Sequence, residues 1–207
     1  MKWWSKLGVA VCGFVLSFGV YAQSATQQLQ RFAQEVNSAA GQFSQTTIDA
    51  QGNARPSQTG EFAFKRPGKF KWSVLLPYEQ LVVSDGVQLY QYDPDLNQLT
   101  QRGVDQAIGA SPATILFGSG QLEDNFYLQD QDEAQGLQWL RATPKSKDAG
   151  FSYVDIAFQG NLPAKLVLLD SFDQQTVIDL HQVQITEVSD QEFEFTAPEG
   201  VDVVTLP

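Results

Sequence analysis

The stretch Phe62-Ala63-Phe64-Lys65-Arg66-Pro67-Gly68-Lys69-Phe70-Lys71-Trp72 decides the fold. Before Arg66-Pro67-Gly68 the rings of Phe62 and Phe64 alternate with Glu61, Ala63 and Lys65. After it Phe70, Trp72, Val74 and Leu76 alternate with Lys69, Lys71 and Ser73. A period of two puts one set on one face of a pleated strand, and Pro-Gly between two such runs is a turn. The stretch therefore reads as two half-buried strands joined by a tight turn. Arg66 has the parity of the aromatics. A guanidinium on an apolar face is costly unless its five donors find partners; the alternative is a turn residue that snorkels to water.

Outward from this hairpin the same pattern recurs. Turn signals at Gln51-Gly52-Asn53, Ser84-Asp85-Gly86, Asp93-Pro94-Asp95 and Gly160-Asn161-Leu162-Pro163 separate apolar runs. Strands are expected over 81–83, 87–92, 126–128, 137–142, 151–158, 164–169, 176–185 and 193–195, giving about ten or more in a meandering antiparallel sheet. Two segments differ. From Ser24, Leu29, Phe32, Ala33, Val36 and Ala39/Ala40 recur at helical spacing as far as Gly41. Ser111-Pro112 opens a short apolar helix through Leu116-Phe117 that stops at Gly118 and Gly120. The fold class is mainly β with helices. A sheet of this size curls, and helices across its concave side make an unclosed antiparallel β-barrel with a helical lid.

The chain has 207 residues, of which 43% are hydrophobic, enough for one domain. Residues 1–22 read as a cleaved secretory signal peptide. Lys2 and Lys6 precede the apolar run 7–20, and Val20-Tyr21-Ala22 is a small-x-small site before Gln23. That run is too short for a membrane span, and Cys12 sits inside it rather than at a lipidation point. The mature domain, 23–207, carries no cysteine and is expected to fold on its core alone. A net charge of −11 and a pI near 4.4 argue against nucleic acid and against electrostatic docking on anionic lipid.

Motifs for chemistry are weak. One Cys and one His do not make a multi-ligand zinc site. His181 lies in a strand pattern with no Gly-flanked serine beside it. Asp93-x-Asp95-x-Asn97 opens like a calcium loop but continues with Gln98 and reaches Val104 where Glu is required, so it reads as a turn. Asp130, Asp132 and Glu133 read as a solvated loop. No catalytic residue, metal or cofactor is expected, and the chain is not read as an enzyme.

Lys65-Arg66-Pro67-x-x-Phe70-x-Trp72 follows a helix and the Phe43-Ser44-Gln45 strand, and precedes Leu81-Val82-Val83-Ser84-Asp85-Gly86 and Leu89-Tyr90-x-Tyr92-Asp93-Pro94. With Gly109-Ala110-Ser111-Pro112 and the closing Phe193-Glu194-Phe195-Thr196-x-Pro198-x-Gly200-Val201, this order resembles the periplasmic outer-membrane lipoprotein carrier family, LolA, over essentially the whole mature chain. The resemblance implies a periplasmic chaperone with a hydrophobic cavity under the lid. It would take acylated lipoproteins from the inner-membrane Lol ABC transporter to the outer-membrane receptor LolB, as a monomer. It also implies that Phe62, Phe64, Phe70, Trp72, Leu89, Tyr90, Leu116 and Phe117 bind acyl chains and that Arg66 latches the lid. Tyr90 stands where relatives often carry Trp. The alternatives are a secreted β-sheet hydrolase, a sheet module that binds another protein, and a LolB-like receptor; the unlipidated signal argues against the last.

Overall fold

Alternation becomes pairing in the central hairpin. In the computed structural model, which describes residues 23–104, 116–117, 122–146 and 149–206, strands β2 (Gln58–Lys65) and β3 (Lys69–Leu76) pair with Phe62 opposite Trp72 and Phe64 opposite Phe70. All four rings are buried on one face. The chain continues this meander through β4 (Gln80–Asp85), β5 (Gln88–Asp93) and β6 (Gln98–Gly103), and on the other flank β1 (Ser38–Ile48) lies beside β2. The second half contributes β7 (Phe126–Asp130), β8 (Gln138–Pro144), β9 (Phe151–Gln159), β10 (Leu162–Asp170) and β11 (Gln175–Ile185), and β11 returns to pair with β1.

One further strand, β12 (Asp202–Thr205), completes a twelve-stranded sheet in the order β12-β6-β5-β4-β3-β2-β1-β11-β10-β9-β8-β7. Its ends, β12 and β7, do not meet, so the sheet is unclosed. It is antiparallel except at β12, which runs parallel to β6 and covers that edge. Neither β6 nor β12 was expected from the sequence. Gly60 sits at a bulge between β2 and β3, where a Cβ would overlap the Ser73 carbonyl and come within 2.7 Å of the Phe43 ring. The backbones approach there in a way that only glycine permits.

The inner face is covered by α1 (Ala25–Glu35), whose stripe of Ala25, Leu29 and Phe32 is buried against it. A capping box starts the helix: the Ser24 hydroxyl accepts from the Gln27 N–H while the Gln27 side chain accepts from the Ser24 N–H. Asp130 Oδ1 accepts the Thr26 N–H at 2.8 Å, a carboxylate placed at the positive end of the helix dipole. The expected run to Gly41 is corrected. The helix ends at Glu35, and Ala39, Ala40 and Gly41 belong to β1. Alanine fits a helical stripe or a strand equally well, and pairing on both sides with β2 and β11 decides for the strand.

The strand expected over 193–195 is also corrected. Asp190–Phe193 is a 3-10 turn within a C-terminal strap that crosses the outer face of the sheet. Phe193 and Phe195 do share a face, but the strap lies on the sheet rather than beside it, so its backbone has no ladder to join. A four-residue helix, α2 (Leu122–Asn125), precedes β7. Residues 1–22, expected to be a signal peptide and containing Cys12, and all of the expected short apolar helix except Leu116 and Phe117, lie outside the described residues.

Candidate functional site

Strand parity gathers an aromatic layer on the inner face. Trp72 stacks on Phe43 with ring centroids 3.8 Å apart and lies 5.9 Å from Phe62. Leu116 and Phe117, helical and buried, sit over this layer. The Phe117 ring lies nearly parallel to Phe62 at 5.2 Å and to Phe64 at 4.6 Å, and Phe32 of α1 meets Phe64 edge-on at 5.7 Å. The buried Phe70 and Leu89 extend the layer across β3 and β5. Among the described residues, the rings of Phe32 and Phe117 from the covering segments thus lie directly on this layer.

Arg66 holds both covering pieces. Its Nε donates to the Val36 carbonyl at 3.1 Å and its Nη2 to the Leu116 carbonyl at 3.3 Å. The guanidinium carbon lies 5.4 Å from the centre of the Phe32 ring and 5.2 Å from that of Phe64. Val36 caps α1, so one bond answers a carbonyl that the helix leaves unpaired and sets a cation at the negative end of its dipole. Burial pushes the Arg66 pKa down, yet arginine keeps its charge at any physiological pH.

The turn that carries Arg66 is itself braced. Ser84 is fully buried; its Oγ donates to the Gly68 carbonyl at 2.8 Å and accepts the Gly86 N–H at 3.2 Å. The Arg66 N–H donates to the Asn37 carbonyl at 2.7 Å. Sequence reasoning quoted Ser84 only as part of a turn. The signal available was a lone hydroxyl at an inward position, opposite Leu89. Ser84→Ala should cost about 1 kcal/mol by stranding the Gly68 carbonyl. That reads as a lower urea midpoint at unchanged slope, and an unchanged midpoint would show the hydroxyl to be dispensable.

Tyr90 does not join this layer, a correction to its expected place. Neighbours on a strand face opposite ways, and Leu89 takes the inner position. Tyr90 instead packs on the outer face against Phe195 of the strap, 5.4 Å between rings. A groove of about 670 Å³ also opens on the outer face, between Gln42, Glu61 and Lys71 of the sheet and Glu187 and Glu192 of the strap. Its lining mixes these charged groups with the apolar Ala63, Leu75 and Val188. His181 Nε2 lies 2.9 Å from Ser44 Oγ on exposed strand surface, while Asp179, which could orient an imidazole, pairs with Lys165. Asp93 caps its own turn through the Leu96 N–H, and Asn97 Nδ2 donates to Gly200 of the strap.

An unclosed sheet whose apolar inner face is covered by helical segments, tied down by a half-buried arginine, defines a class of proteins that shelter an apolar surface from water. The family described as outer membrane lipoprotein carrier protein LolA matches residues 34–196. The outer-membrane lipoprotein carrier protein of Bordetella avium is 57% identical over 186 residues, 89% of each chain, and that of Cupriavidus pinatubonensis is 41% identical over 96% of this chain and 98% of its own. The chain belongs to the LolA family. Its fold is similar to that of a LolA superfamily protein from Nitrosomonas europaea, with a TM-score of 0.51 and 11% identity over 84% of this chain and 99% of that one. An uncharacterized conserved protein from Thermus thermophilus gives 0.57 at 14% identity, covering 89% of this chain and all of that one.

Proposed function

We propose that this protein is a periplasmic chaperone that carries lipoproteins by binding their acyl chains on the inner face of the sheet, where Phe62, Phe64, Phe70, Trp72 and Leu89 form the floor, and that Arg66 is the latch of a lid made by α1 and the Leu116-Phe117 segment. The observation that carries this reading is the Phe117 ring lying against Phe62 and Phe64 with Arg66 bonded to both covering pieces. An apolar surface against which a covering ring such as Phe117 lies is one that an acyl chain can take over by displacing that ring. At about 0.8 kcal/mol per methylene, a chain of about 15 methylenes carries roughly 12 kcal/mol of transfer free energy, which forbids free passage through water. The cargo is received from the inner-membrane Lol ABC transporter and delivered to the receptor LolB, by binding and release without a covalent step. The mature protein begins at Gln23 and acts as a monomer.

α1 crosses the sheet near Arg66 and Asp130, which leaves the opposite strand ends, with exposed Leu76, Tyr78 and Phe172, as the rim through which chains pass. Expression with its own signal, purification from the periplasm and mass spectrometry should find acylated lipoproteins bound. Material free of acylated polypeptides that also fails to bind a fluorescent fatty acid saturably would overturn the reading.

A further inference from the structure

The hairpin that carries Arg66 on the inner face is gripped on the outer face as well. Lys65 and Lys69 are the last pair of the β2–β3 ladder before the turn and stand directly opposite each other. Two like charges in that position repel. A single carboxylate oxygen lies between them: Asp190 Oδ1 accepts from Lys65 Nζ at 3.1 Å and from Lys69 Nζ at 2.9 Å. Asp190 is not a loose group, because the strap that bears it is pinned on either side by the buried Val188 and Phe193, which pack on Val83. We propose that Asp190 is a positioning residue for the Arg66 latch, so that the seating of the C-terminal strap on the outer face sets the strength of lid closure on the inner one.

The physical chain is short. Asp190 clamps the neck of the hairpin, the neck fixes where the turn sits, and the turn aims the guanidinium at two carbonyls that accept only within a few tenths of an ångström. When the strap lifts, Lys65 and Lys69 push apart and Arg66 loses its aim, although nothing has touched the lid. Lys71 and Glu192 form a second strap contact at 3.1 Å, but away from the neck. That pair is the internal control.

This inference rests on the lid reading, and the test separates the two. In the full mature chain, Asp190→Ala, Arg66→Leu, the double variant and Glu192→Gln are compared by hydrogen exchange over residues 29–37 and by titration with a fluorescent fatty acid. Asp190→Ala should speed exchange at the end of α1 about two- to fivefold, the range of an exposed ion pair, and raise apparent affinity for the probe alike, since the open state is then more populated. It should add nothing in the Arg66→Leu background. Glu192→Gln should change neither reading. About 0.5 M salt should bring the wild type toward the Asp190→Ala rate.

Additive effects in the double variant, or an equal effect from Glu192→Gln, would overturn the coupling. Faster exchange with Arg66→Leu but not with Asp190→Ala would also overturn it while leaving the latch standing. No change with Arg66→Leu would remove the latch itself.

Discussion

Arg66→Leu is expected to leave a folded protein that accepts lipoproteins and does not give them up. The wild-type guanidinium donates two hydrogen bonds from a charged group into a partly buried site. Such bonds contribute about 1.5–3 kcal/mol each, and at 3.1 and 3.3 Å these belong at the lower end. Together they favour the closed, empty state by about 3 kcal/mol, or roughly a hundredfold. An acyl chain that takes the place of Phe117 leaves the same cation beside hydrocarbon that cannot solvate it, which raises the energy of the loaded state. Leucine removes both effects, and both changes favour retention. In a release assay from loaded carrier to liposomes bearing the receptor, transfer should fall about a hundredfold or more. Arg66→Lys should be intermediate, because an ammonium keeps the charge but cannot span two carbonyls as the planar fork does. Delivery by Arg66→Leu at the wild-type rate would reduce Arg66 to a turn residue.

Phe117→Ala should also tighten acyl binding, by a different route. Phe117 was expected to line the cavity together with Phe62 and Phe64. It lies stacked against both, in the place a chain would take. Burying a phenylalanine side chain contributes about 1.5–3 kcal/mol, and a ligand displacing the ring must first give that up. Truncation removes this competition, so apparent affinity for a fluorescent fatty acid should rise about ten- to a hundredfold. The empty protein should be less stable toward urea, by less than the 3–5 kcal/mol of a Phe→Ala change in a core that cannot open. Trp72 gives the contrast. It lies in the floor, stacked on Phe43, so Trp72→Gln should cost folding stability heavily as well as binding. Weaker probe binding by Phe117→Ala would make Phe117 part of the pocket wall instead.

Much of the architecture follows from parity along the chain. The alternation from Phe62 to Leu76 is enough to place four rings on one face and to put Arg66 with them, because a pleated strand offers side chains only two directions. The same rule, applied one residue further, separates Leu89 from Tyr90; likeness to relatives had grouped them. Local pattern fails where a residue suits two structures. Ala39 and Ala40 extend a helical stripe as readily as a strand, and they join β1 because β2 and β11 lie ready to pair with it.

The alternation, the turns, the parity of Arg66 and the likeness to the LolA family are legible along the chain, since each depends on residues close together or on their order. Which partners those residues meet is set by folding in three dimensions. The partners of Arg66 are Val36 and Leu116, 30 and 50 positions away; the brace of Ser84 is Gly68; the lysines at the hairpin neck find Asp190 across 121 or more residues of chain. Periodicity records which face a side chain points to, whereas a hydrogen bond requires a partner at 3 Å, and only the folded sheet brings such distant segments to that distance.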